Sequence, residues 1–145
     1  MTPSNTATLA RRLVMYEAHD LDRPEALAEA GERTWERLRH RLIVLIGAEG
    51  FDALFARALA LARPDYPVLA DIHYEAAKGY GLMDVRESAH ERAPTDLLDA
   101  LVTVTAHFLA VLVRLIGADL VVRVVREIWS ELPPKEIDLR EETNE

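Results

Sequence analysis

The sequence contains no cysteine. Disulfides, thiolate metal sites and a cysteine nucleophile are therefore excluded. Aromatic residues make up only 6% of the chain, so Leu, Val, Ile and Ala must fill most of its core. Serine occurs only at Ser4, Ser88 and Ser130, none of them in a nucleophile elbow. No phosphate-binding loop is present, since Gly47-Ala48-Glu49-Gly50 lacks the P-loop lysine. The longest uncharged apolar run, Ala100 to Val113, has 14 residues and includes His107. That falls short of the roughly 20 needed to span a bilayer. The first ten residues are rich in Thr, Ser and Asn and lack the pattern of a secretory signal. A cytoplasmic protein with no membrane association is the expectation.

What is present describes a globular chain. Apolar residues form 50% and charged residues 29% of 145 residues, a length that fits one domain. The net charge of −8 works against nucleic acid as a partner. About half of that charge sits between Glu131 and Glu145, where six acids face only Lys135 and Arg140. The reading is a helical domain over 1–132 and a disordered acidic tail over 133–145.

The patterning is helical at period 3.6 and supports five segments. The first covers about Thr8 to His19, with Leu9, Leu13 and Tyr16 on one face. Asp22-Arg23-Pro24-Glu25 has the form of a capping box opening the second, which carries Leu27, Thr34, Leu38, Leu42, Leu45 and Ile46 to Gly47. The third runs from about Glu49 to Arg63 and stops at Pro64. The fourth, after Pro94, is apolar nearly all round and should be central to a bundle. The fifth covers about Ala118 to Leu132, ended by Pro133-Pro134. Residues 64–94 between the third and fourth form an irregular insert, in which the alternation of Val68, Ala70, Ile72 and Tyr74 suggests a short strand. The fold class is thus an all-α single-domain bundle of about five helices.

Leu45-Ile46-Gly47-Ala48-Glu49 is echoed by Leu115-Ile116-Gly117-Ala118-Asp119. Each block joins a long apolar helix to a shorter one. Two pseudo-repeated αα-hairpins, each burying its apolar face on the other, would produce this pattern. The Leu-Ile-Gly-x-x-Gly-Phe…Ala-Arg-Ala-Leu block of Leu45 to Leu59 and the Ile-Gly-x-x-Leu…Arg-x-x-Arg-x-x-Trp block of Ile116 to Trp129 resemble an uncharacterised family of small bacterial α-helical proteins. The resemblance implies a helical fold and a bacterial origin, and brings no activity, cofactor or catalytic residue.

Candidate ligands and bases are His19, His40, His73, His90 and His107. Glu87-Ser88-Ala89-His90 has the Glu-x-x-His spacing of di-iron bundles, but those need two such motifs and two further acids. No metal site, cofactor or catalytic set can be assembled. His107 stands out because it lies in the most apolar segment, one turn after Thr103. With Tyr74, these two are the candidate polar contacts for an apolar small molecule held in the core. Trp35 and Trp129, together with the basic stripe Arg33, Arg37 and Arg41, are the candidate interface residues. The leading functional reading is a noncatalytic interaction module, a homodimer in bacterial signalling or regulation. A small-molecule sensor is the alternative. An enzyme using His and carboxylates of the 71–90 insert ranks last.

Overall fold

The computed structural model describes residues 5–71 and 94–139. It is all-α. Four α-helices are present among the described residues: α1 (Asn5–Glu17), α2 (Pro24–Ala62), α3 (Pro94–Ile116) and α4 (Ala118–Ile128). Short 3-10 turns follow α2 at Arg63–Asp65 and Pro67–Asp71, and another lies at Pro134–Glu136.

The expected second and third helices form one element, α2, broken only at Gly47, whose backbone has φ 81° and ψ 161°. α2 is thus one continuous element made of two helical segments, 24–46 and 48–62, that meet at a kink. Gly117, between α3 and α4, has φ 91° and ψ 152°. Both conformations lie in a region that is essentially open to glycine alone. The expected capping box at Asp22 does not form. Arg23 occupies the cap position without a side-chain bond, and the Asp22 N–H is taken by the Asp20 carboxylate at 3.0 Å. Proline at the first helical position fixes the start instead. The stretch read as a strand begins with a 3-10 turn over Pro67–Asp71, and its remainder, including Tyr74, lies outside the described residues.

The core is shared by every helix. Leu9, Leu13 and Val14 of α1 are buried, whereas Tyr16, expected on the same face, is exposed. Leu27, Leu38, Leu42, Phe51, Phe55 and Leu59 bury the inner face of α2, and Leu101, Val104, Phe108 and Leu112 that of α3. Trp35 packs edge-on to Phe55 at 5.0 Å, and Phe51 bridges Phe55 at 6.1 Å and Phe108 at 5.1 Å. These aromatics compensate for their scarcity by sitting together at the centre. Thr95–Ile116 is long and apolar enough to cross a membrane, and 56% of its most apolar window is buried inside the fold.

Two contacts set how α2 and α3 lie. A Cβ built on Gly31 would come within 2.8 Å of Leu101 Cδ2, so glycine lets the helices approach closely there. One turn later, Trp35 Nε1 donates to Thr105 Oγ1 at 2.9 Å. Both pairs are separated by 70 residues, so the first half of α2 and α3 run in the same direction in one register. The second half of α2 folds back on the first, bringing Phe55 to Trp35 and Asp52 to Arg39. α4 and the residues after it do the same beside α2: Arg37 meets Glu131 and Arg41 meets Glu127.

The chain beyond Pro133, expected to be disordered, is laid onto the bundle as far as Leu139. Ile137 is buried, and its carbonyl accepts from Arg126 Nε at 3.1 Å. The Glu136 carbonyl accepts from Arg12 at 2.8 Å, and that of Leu139 from Asn5 at 3.1 Å. The apolar Ile137 and Leu139 at alternate positions anchor a segment whose composition alone reads as solvated.

Candidate functional site

A groove runs between α1 and α3. On α3, Asp99, Thr103, Ala106, His107 and Ala110 recur at three- and four-residue spacing and so share one face. Opposite them stand Ala7, Arg11 and Met15 of α1, with Tyr66 at one side. Small side chains at Ala7, Ala106 and Ala110 keep the helices from filling the space. The result is a half-open cavity of about 880 Å³, within the usual range of about 300–1,000 Å³ for small-molecule sites.

The polar lining of the groove comes from Thr6, Thr8, Arg11, Arg12, Tyr66, Asp99, Thr103 and His107. The Thr103 hydroxyl donates to the Asp99 carbonyl at 2.7 Å, and its oxygen lies 3.5 Å from the Tyr66 hydroxyl. Arg11 pairs with the Asp99 carboxylate at 3.1 Å, with both side chains nearly half exposed. Such a pair is worth little in water, so an incoming anion can compete for Arg11. His107 is half-buried on the same face. The structure thus brings His107 and Thr103 together in one cavity. Tyr74, the third residue expected with them, lies outside the described residues. Tyr66, Arg11 and Met15 carry no distinguishing sequence signal beyond the Pro64 and Pro67 that fix the turn around Tyr66.

The candidate interface residues lie elsewhere, and the two tryptophans among them face inward. Trp35 and Trp129 are 2% and 0% exposed, so neither offers an apolar edge to a partner. The basic stripe is engaged by the chain's own acids. Glu17, at the end of α1 with its side chain 8% exposed, accepts from Arg37 Nη1 at 2.5 Å and from Trp129 Nε1 at 2.9 Å. Arg33 reaches the same carboxylate at 3.4 Å and also donates to the Glu17 carbonyl. Arg37 further donates to the Ile128 carbonyl at 2.6 Å and to Glu131 at 3.1 Å, and stacks over the Trp129 ring at 5.0 Å. Arg41 holds Glu127 at 2.5 Å. Burial works against the charge of Arg37, but its bonds to Glu17 and Glu131 outweigh that and lift its pKa. Glu131 is held below the ordinary carboxylate range by a backbone hydrogen bond and then by Arg37.

Among the described residues no three His, Asp or Glu side chains converge as a metal-binding set. No family model matches the chain, and neither a curated protein nor a solved structure matches it.

Proposed function

We propose that the protein is a noncatalytic binding module whose groove between α1 and α3 takes a small, largely apolar molecule with one anionic end. The observation that carries this reading is the convergence of Thr103, Tyr66, His107 and Arg11 on one cavity whose apolar lining is Ala7, Met15, Val102, Ala106 and Ala110, and which Thr6, Thr8, Arg12 and Asp99 also line. The apolar side chains supply affinity through burial, and the polar groups fix orientation. Arg11 and the Tyr66 hydroxyl are donors suited to a carboxylate or sulfonate. We read the scaffold as two repeated αα-hairpins, a reading supported by the matched glycine turns.

The test is a fluorescence titration with 1-anilinonaphthalene-8-sulfonate, an apolar aromatic anion. Saturable binding at one site is expected. Ala106→Trp, which fills the groove, should abolish it, and Arg11→Ala should weaken it at least about tenfold, the equivalent of one charge-assisted hydrogen bond. Binding that is unchanged in Ala106→Trp, or no binding to the folded protein at all, would overturn the assignment. A protein-interaction role is favoured by a different observation, the apolar end of the bundle.

A further inference from the structure

The two glycine turns lie at the same end of the molecule. The α2–α3 pairs Gly31/Leu101 and Trp35/Thr105 advance together, so both helices run toward that end in step. The α4 pairings confirm it. Arg37 with Glu131 and Arg41 with Glu127 are antiparallel, so each step along α2 is a step back along α4. Continued by one further turn and another, that register places the start of α4 beside residues 45–49.

This end is apolar. Val44 is 75%, Leu45 45% and Leu115 59% exposed. Single exposed leucines need no explanation, but three large apolar side chains at one end form a patch. The turns between them are open. A Cβ built on Gly47 or Gly117 meets nothing within 4 Å, and each glycine is followed by an alanine. The rim is charged. Arg114, Glu49 and Asp119 are exposed, and none of them forms an ion pair among the described residues.

We propose that this end docks against the same end of a second copy of the chain. Two features select a copy of itself over another occupant. The patch carries its own complement in charge, because Arg114 of one copy can meet Glu49 or Asp119 of the other. Its Leu-Ile-Gly-Ala-acid motif is present twice, at 45–49 and 115–119. In a twofold interface each contact occurs twice, so modest pairings add up. The two acids, and a net charge of −8, work against an anionic membrane surface as the occupant.

Analytical ultracentrifugation of the full chain across micromolar concentrations tests this. A species of two 16.3 kDa chains is expected. Leu115→Glu should weaken association at least about thirtyfold, as loss of an interface anchor does, while the helical circular dichroism stays unchanged because Leu115 is exposed. Arg114→Glu should weaken it too. Combining Arg114→Glu with Glu49→Arg and Asp119→Arg should restore it, a rescue that a merely surface-softened protein would not show. A monomer at every concentration would overturn the proposal. So would a dimer indifferent to Leu115→Glu and to the charge exchange. Ala106→Trp in the groove should leave the dimer intact, so failure here is distinguishable from failure of the ligand reading.

Discussion

Thr105 is a residue whose importance comes from a single buried bond. Its hydroxyl donates to the Leu101 carbonyl at 2.8 Å and accepts the Trp35 N–H at 2.9 Å. Thr105→Val keeps the shape but leaves that indole N–H unpaired in the core. A loss of about 1–3 kcal/mol is expected, the cost of a buried donor without a partner, read as a lower urea midpoint. Thr105→Ser should recover most of it. Glu17 poses the charged version of the same problem. Removing its carboxylate strands Arg37 and the Trp129 N–H together, but Arg37 is a third exposed and water can partly replace the lost partner. Glu17→Ala should therefore cost about 2–3 kcal/mol, below the 3–5 typical of a wholly buried pair, while Arg41→Ala, whose Glu127 partner is exposed, should cost less than about 1 kcal/mol. Glu131 adds a pH dependence. Its folded pKa lies below the unfolded 4.5, so its contribution is present above that value and is lost as pH falls through the folded one. Thermal melts from pH 6 down to pH 2 should show a shallower acid limb in Glu131→Gln than in the parent. None of these partnerships was legible from spacing. Helical spacing alone would pair Arg33 with Glu29 and Arg39 with Glu36, but Arg33 meets Glu17 and Arg39 meets Asp52. Which acid reaches which arginine depends on how helices distant in sequence come together.

At the level of elements the glycines decide most. Gly47 and Gly117 adopt nearly the same conformation, and a Cβ at either would find open space. Substitution therefore costs backbone strain alone. Gly47→Ala and Gly117→Ala should each lose about 1–3 kcal/mol, similar to one another. Urea melts would show it. Gly31→Ala behaves differently, since the added methyl meets Leu101 and the gain in helix propensity is opposed by overpacking. The two turns are legible in the Leu-Ile-Gly blocks, and the chain breaks its helical path at both glycines. The expected capping box does not form because the helix starts at Pro24, which puts Arg23 rather than Asp22 at the cap position. α1 carried too little apolar pattern to weigh alone, yet Leu9, Ala10, Leu13 and Val14 are fully covered, because α3 supplies a face that only the folded chain provides. The groove was half legible: His107 in an apolar helix marked it, while Tyr66 and Arg11 become its neighbours only through tertiary contact.

The whole molecule is tied together across its sequence halves, and this fixes how it should unfold. Trp35 of the first half is bonded to Thr105 of the second, and Trp129 of the second to Glu17 of the first. Phe51 touches both Phe55 and Phe108. Neither half can open without stripping the other's buried aromatic of its partner, so the two should unfold as one cooperative unit. The tryptophans allow a direct measurement, because each reports one half. In Trp129→Phe the remaining fluorescence belongs to Trp35, and in Trp35→Phe it belongs to Trp129. Each variant will be less stable than the parent, since each loses a buried hydrogen bond. Within each variant, however, the fluorescence transition in urea should coincide with the loss of helical circular dichroism. If Trp129 lost its buried signal well before the helical signal fell, α4 and the segment to Leu139 would be a separately opening layer on an independently stable first half. Coincidence in both variants would instead mean that the α2–α3 contact, made at Gly31 and Trp35, commits the entire chain.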